Sequence, residues 1–137
     1  MYYDFPLLIP RNTTKASPVE SQLNLTWGVI VHVAIRFPPN CAGQAHVMIM
    51  EHRHQVWPTN LDDWFYGDSE TIEWDEYHEL YELPAAFTLL GYNTDDRFPH
   101  TPIVRFNILH PQDIVRSATD GLNDRVRHIP LEVLNGA

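Results

Sequence analysis

The chain has 137 residues, enough for one domain with a substantial core and too few for two. Hydrophobic residues make up 44% and aromatic residues 12%, which excludes a disordered chain, a collagen-like repeat and a long coiled coil. The formal net charge of -9 at pH 7 repels phosphate backbones and therefore argues against nucleic acid as a partner.

Residues 1–22 are predicted to form an irregular N-terminal arm. Pro6, Pro10 and Pro18 interrupt regular structure, yet the segment carries six large apolar side chains that need burial. We expect the arm to dock on a partner, and the alternative is that it covers its own domain. The candidate interface residues are Tyr2, Tyr3, Phe5, Leu7, Leu8 and Ile9.

Residues 23–110 carry the strand signals. From Val29 to Phe37 the apolar residues alternate, which predicts a strand with Val29, Val31, Val33, Ile35 and Phe37 on one face. Seven or eight short strands at this spacing predict an all-β fold, an antiparallel, jelly-roll-like β-sandwich with extended N- and C-terminal arms. The other predicted strands are Ala45–Met50, Gln55–Trp57, a segment around Ile72 and Trp74, Tyr77–Leu83, Phe87–Tyr92 and Ile103–Leu109.

Residues 111–137 form a C-terminal extension that begins with a proline. It is either a second docking arm or partly disordered. The predicted organisation is therefore an N-terminal arm over 1–22, a β-sandwich domain over 23–110 and an extension over 111–137.

Residues 57–82 combine aromatic and acidic side chains. Residues 61–82 contain nine acids and neither Lys nor Arg, which is typical of a solvated face, although calcium or a basic partner would also suit it. The aromatic residues fit a core, a protein interface or stacking on a sugar ring, and the sequence leaves these open. They are Trp57, Trp64, Phe65, Tyr66, Trp74, Tyr77 and Tyr81.

The histidines and the single cysteine are the candidate metal-binding and nucleophilic residues. If His52 and His54 lay on one strand, both imidazoles would share a side and could bind a metal with His46, His78 or His100. No zinc-binding or nucleophile motif accompanies them, and Cys41 lies in a tight turn where a small apolar filler is expected. We therefore expect no enzyme, no cofactor and no bound metal.

The remaining exclusions concern export and membranes. A single cysteine excludes an internal disulfide, and the first residues lack the basic and apolar regions of a secretory signal. No apolar run reaches the roughly 18 residues that a membrane-spanning helix needs, so no membrane partner is expected.

Four short blocks together resemble small single-domain proteins of phage and bacterial virion structural modules, over about residues 13–109. The blocks are Leu25-Thr26-x-Gly28-Val29-Ile30, Phe37-Pro38-Pro39-Asn40-Cys41-Ala42-Gly43, His54-Gln55-Val56-Trp57-Pro58-Thr59-Asn60, and Gly91-Tyr92-Asn93-Thr94-Asp95-Asp96 with Pro99-His100. The resemblance implies a non-enzymatic virion protein, of the capsid decoration (cement) or tail accessory type, with no catalytic residues to carry over.

Together, these features predict a protein that forms a homo-oligomer, with a trimer as the expected form, and adds to a larger shell. Its partners would be itself and a major capsid or other virion protein, and it would be located in the virion after assembly in the host cytoplasm. The alternative is a carbohydrate-binding or other recognition module that uses the aromatic and acidic segment 57–82.

Overall fold

The computed structural model describes residues 1–80, 85–110 and 112, and these ranges contain nine β-strands. The strands are β1 (Tyr2–Pro6), β2 (Val19–Leu25), β3 (Gly28–Phe37), β4 (Ala45–Glu51), β5 (His54–Trp57), β6 (Phe65–Tyr66), β7 (Glu70–Leu80), β8 (Ala85–Asn93) and β9 (Ile103–Leu109).

The strands form two antiparallel sheets. Sheet 1 has the order β1-β9-β3-β7, and sheet 2 has the order β2-β8-β4-β5, with β6 paired to β4 beside β5. The chain crosses from one sheet to the other at most steps, whereas β4, β5 and β6 follow one another within sheet 2. Without the short β6, the other eight strands have the order of a jelly roll, which confirms the predicted antiparallel β-sandwich.

The core lies between the two sheets and includes side chains from the N-terminal segment and from seven of the strands. Its largest fully buried side chains are Phe37, Phe87, Phe106, Ile9, Ile30, Ile35, Ile49, Leu80, Leu89 and Ile108. Cys41 is buried in the same cluster, as expected for a small filler, and burial raises the pKa of its thiol.

The predicted faces of β3 are only half correct. Val33, Ile35 and Phe37 lie in the core cluster, but so does Ile30. Val29 is also buried but lies outside that cluster, and Val31 is only partly buried. The ladders to β7 and β9 both shift register between Ile30 and His32, and Val31 has no Cα partner on either neighbour. A bulge adds one residue and reverses the alternation, so the simple period-two prediction fails beyond it.

The prediction of irregular structure over residues 1–22 is wrong. Residues 2–6 form β1, which pairs antiparallel with β9, and β2 begins at Val19. Beyond β1, Ile9 makes an isolated antiparallel bridge with His100. Pro6 does not prevent the pairing because it is the last residue of an edge strand, where a missing N–H is tolerated.

The other predicted strands are found, with two differences. The segment around Ile72 and Trp74 and the one starting at Tyr77 form one continuous strand, β7. The short β6 was not predicted. The predicted C-terminal extension over 111–137 lies outside the described residues, apart from Gln112, and so does the end of the predicted strand Tyr77–Leu83.

Four long connections meet at one end of the sandwich, which we call the loop end: residues 7–18, 38–44, 58–69 and 94–102. Backbone hydrogen bonds tie them together, since Gly43 donates to Gly67 and Thr94 donates to Gln44. At the opposite end, two of the described connections have two residues each, Thr26 and Trp27 between β2 and β3, and His52 and Arg53 between β4 and β5. The loop end therefore holds most of the irregular surface on which a site could be built.

Candidate functional site

The six candidate interface residues divide between the core and the surface. Leu7 and Ile9 are buried in the core cluster, and Tyr3 and Phe5 stack on each other and pack against it. The remaining two, Tyr2 and Leu8, are 63% and 61% exposed. The N-terminal segment thus contributes to its own domain and presents two of the six side chains to solvent.

The histidine pair considered for a metal does not share a strand. His52 and Arg53 are the two turn residues between β4 and β5, and their φ angles are 49° and 64°. Two residues with positive φ form the tight turn that suits a β-hairpin, so His52 leaves the strand on which His54 lies. Among the described residues, no group of three or more His, Cys, Asp or Glu side chains could hold a metal ion.

Two histidines that lie within strands, His32 and His46, are both hydrogen-bonded. His32 Nδ1 lies 3.0 Å from Asp75 Oδ1, and this bond raises the pKa of His32. His46 Nδ1 donates to the backbone oxygen of Gln44 over 2.9 Å.

The segment 57–82 separates into three environments. Trp57 is buried, while Phe65 and Trp74 are partly buried against the core. Tyr66 and Tyr77 are exposed. On β7 the residues that face the other sheet alternate with a row of exposed acids, Glu70, Glu73, Asp75 and Glu79, which confirms a solvated acidic face. Tyr81 and Glu82 lie outside the described residues.

The loop between β5 and β6 is held by one side chain, Gln55. Its Nε2 donates to the backbone oxygens of Pro58 and Asn60 at 2.6 and 2.8 Å, and its Oε1 accepts from the N–H of Asp62 at 2.9 Å. The loop follows a cis Trp57–Pro58 peptide. A loop closed on an amide in this way has an ordered backbone.

A cavity of about 380 Å³, here called cavity A, lies on the outer side of sheet 2 against this loop. Its volume falls in the range of ligand-binding pockets. It combines aromatic rings with charged groups of both signs. The lining residues are Lys15, His46, Pro58, Asp62, Asp63, Trp64, Phe65, Tyr66 and Tyr92.

The strand register builds the floor of cavity A. His46 on β4 is the cross-strand partner of both Tyr66 on β6 and Tyr92 on β8. The His46 ring stacks on Tyr92 with centroids 4.1 Å apart, and it lies 5.5 Å from the Tyr66 ring. Trp64 meets Tyr92 edge to face at 4.7 Å. The result is a continuous cluster of four rings on a sheet face that ordinarily carries polar side chains.

The environment of His46 sets its protonation. Burial lowers its pKa, and the positive charge of Lys15 acts in the same direction. Because Nδ1 donates to the Gln44 carbonyl, the neutral ring keeps Nε2 as a hydrogen-bond acceptor. Burial also raises the pKa of the Tyr92 phenol, so both groups are neutral at pH 7.

A second cavity of about 290 Å³, cavity B, lies between the sheets on the other side of the same loop. Trp57, Trp74 and Phe65 line it, with Phe65 and Trp74 stacked at 5.3 Å. The carboxylate of Glu76 also lines it, but Oε1 accepts from Trp57 Nε1 at 2.5 Å and Oε2 accepts from the Tyr77 N–H at 3.2 Å. The carboxylate that lines cavity B is therefore engaged within the protein.

A buried polar network fixes the loop end. The carboxylate of Asp95 accepts from the N–H groups of Arg97 and Phe98, and Asn93 Nδ2 donates to the backbone oxygen of Phe98. The Arg97 N–H, followed by the His100 side chain, holds the pKa of Asp95 below its ordinary value. Sequence reasoning did not find this network, because the partners Ile9 and His100 are not adjacent to Asn93 and Asp95 in sequence.

The comparisons with known proteins include a similarity to a solved structure. No family model matches the chain, and no curated protein matches it. The protein is similar to a chain in the X-ray crystal structure of tomato aspermy virus, with 12% identity, a TM-score of 0.42, and coverage of 80% of this chain and 79% of that one. A similarity of this size supports no conclusion about function. Within the described residues, no helix is long and apolar enough to cross a membrane.

Proposed function

We propose that the protein is a non-enzymatic structural subunit of a virion, which associates with copies of itself and with a larger protein shell. The observation that carries the proposal is the strand order of the two sheets, that of an eight-stranded jelly roll. Virus capsid subunits use this fold, as do lectins and cupins. Since one fold serves several functions, the proposal also needs a surface through which subunits would meet.

The N-terminal segment supplies such a surface. The backbone of Leu7 and Ile9 is bonded to Pro102 and His100, and their side chains are anchored in the core. Tyr2 and Leu8 on the same segment face solvent. Apolar side chains on a backbone that is already ordered lose little conformational entropy on binding, which favours association.

In its specific form, the proposal is a capsid decoration (cement) protein that binds the shell as a trimer. A tail accessory position is the other location that we consider within the virion. In both cases the acidic face of β7 would remain in solvent and keep a crowded particle surface soluble.

The test uses the full chain, because deleting residues 1–22 would remove β1 and the buried Ile9 and so would damage the fold itself. Sedimentation velocity over a concentration series should show reversible self-association. The double variant Tyr2→Ser with Leu8→Ser should associate more weakly while keeping its β-sheet circular dichroism spectrum. Leu61→Ser, at a position that is 80% exposed, is the matched control and should associate like the wild type.

Two outcomes would contradict the proposal. One is a wild-type protein that stays monomeric at all concentrations and is missing from purified particles by mass spectrometry. The other is equal association of the double variant and the wild type, which would show that Tyr2 and Leu8 do not form the contact surface. The neighbouring genes distinguish the two locations in the virion. A major capsid gene beside this one favours the shell, and a tail gene favours the tail accessory position.

The alternative function is a carbohydrate-binding or other recognition module. The specific observation in its favour is cavity A, which combines aromatic rings with charged groups of both signs.

A further inference from the structure

We infer that cavity A is a binding site for a neutral saccharide, with the rings of Trp64 and Tyr66 contacting the apolar face of a pyranose. This inference is independent of the proposed structural role, since a shell subunit and a separate recognition module could both carry such a site.

The position of the aromatic rings is the first argument. Tyr66, His46 and Tyr92 are cross-strand partners on three adjacent strands of sheet 2. With strands about 4.8 Å apart, the row spans about 10 Å, comparable with two linked sugar rings. Tyr66 is 61% exposed, although outward positions of an antiparallel sheet ordinarily carry polar side chains. A ligand with an apolar face would cover this surface.

The polar groups at the rim are the second argument. Asp62 and Asp63 supply acceptors, Lys15 supplies donors, and the phenol groups of Tyr66 and Tyr92 supply both. Charges of both signs disfavour a ligand with a large net charge of either sign. A polyhydroxylated neutral molecule uses all of these groups, because each hydroxyl can donate and accept.

The order of the loop is the third argument. The four contacts of the Gln55 amide with the loop backbone hold the backbone of Asp62 and Asp63 in place before any ligand arrives. A site that is ordered beforehand loses less entropy on binding, which matters for weakly bound sugars. Cavity B is the weaker candidate, because Trp57 is buried and both oxygens of Glu76 are already bonded.

The experiment is an NMR titration of the ¹⁵N-labelled full chain with methyl glycosides of glucose, galactose, mannose and N-acetylglucosamine. At least one of these should shift the indole N–H of Trp64 and the amides of Asp62–Tyr66 in a saturable manner. Tetramethylammonium chloride and sodium phosphate serve as a cationic and an anionic probe, and neither should saturate the same signals.

Matched variants locate the site. Tyr66→Ala should weaken binding of the responding glycoside about tenfold, as expected for loss of one stacked ring. Tyr77→Ala removes an equally exposed tyrosine from outside the cavity, at 60% against 61%, and should bind like the wild type. Asp63→Asn, which changes the charge and keeps the size, should weaken binding without altering the amide spectrum of the sheets.

Three results would overturn the inference. These are the absence of a saturable shift with all four glycosides, saturation by tetramethylammonium instead, or equal losses for Tyr66→Ala and Tyr77→Ala. The saccharide titration and the association test on the N-terminal surface are independent, because Tyr2 and Leu8 do not line cavity A.

Discussion

The imidazole of His100 and the carboxylate of Asp95 form a buried pair, with Nε2 lying 2.8 Å from Oδ2. The pair connects the end of β8 to the segment that precedes β9, and His100 also bridges to Ile9 near the N-terminus. Two of the four connections of the loop end, 94–102 and 7–18, therefore meet at this pair.

Acid sensitivity is the first prediction. The pKa of Asp95 is lowered in the folded protein, so this group stabilises the fold above its unfolded pKa, near 3.8, and the contribution is lost as pH falls through the folded pKa. We expect Asp95→Asn to lower the melting temperature by several degrees at pH 7, with the difference shrinking below about pH 4. Calorimetry from pH 7 to below about pH 4 measures the melting temperatures of the variant and the wild type. Asp96→Asn, at the exposed neighbouring position, is the control, and an equal effect there would contradict the prediction.

The N-terminal segment provides the second prediction. Ile9 is fully buried and its neighbour Leu8 is exposed. Ile9→Ala should lower the free energy of unfolding by about 2–5 kcal/mol, because it leaves a cavity in the core. Leu8→Ala should change it by less than about 0.5 kcal/mol. Urea denaturation of the two variants measures the contrast, and similar values would mean that the segment does not belong to the core.

Gly91 provides the third prediction. A Cβ atom at this position would lie 2.6 Å from Ile9 Cδ1 and 2.9 Å from Leu7 Cδ2. Gly91→Ala should therefore destabilise the protein by about 1–3 kcal/mol through overpacking.

A double-mutant cycle tests the cause of that effect. Ile9→Val removes the Cδ1 atom and by itself should cost about 0.5–1.5 kcal/mol. The double variant should be more stable than the sum of the single effects predicts. Simple additivity would show that the Gly91 effect does not come from contact with Ile9.

The bond between the sheets provides the fourth prediction. Trp57 is 4% exposed, and its Nε1 donates to Glu76 across the sandwich. Glu76→Ala should cost about 1–3 kcal/mol because it leaves this buried donor without its acceptor. Glu76→Gln keeps an acceptor and should recover most of the loss. Glu79→Ala, on the exposed face of the same strand, is the control in chemical denaturation followed by tryptophan fluorescence.

Local patterns predicted most strands, because an alternation of apolar and polar residues directly shows that one face of a strand is buried. They failed where long-range pairing decides the structure. The bulge at Val31 is visible only in the ladders to β7 and β9, and β1 is a strand because β9 is available to pair with it. Five residues ending in a proline give too weak a local signal.

The candidate site shows the same limit. The segment 57–82 was singled out for its aromatic and acidic content, and it supplies Trp64, Tyr66 and the two aspartates of cavity A. His46 and Tyr92 were not assigned to it, because only the register of β4 with β6 and β8 brings them together. His52 and His54 show the converse. Their spacing would suit a shared metal only if both lay on one strand, and His52 lies in the hairpin turn while His54 lies on β5.

The row of carboxylates on β7 has a consequence for how copies of this chain can meet. An edge strand offers unpaired backbone groups to any second strand, and like charges held beside that edge oppose such pairing. Two copies aligned β7 to β7 would bring Glu70, Glu73, Asp75 and Glu79 of each close together. The opposite edge strand of sheet 1, β1, carries a single acid, Asp4, which is paired with Arg105 at 3.3 Å. Among the described strands of sheet 1, β7 therefore opposes pairing with β7 of a second copy, whereas β1 carries no comparable charge against pairing with β1.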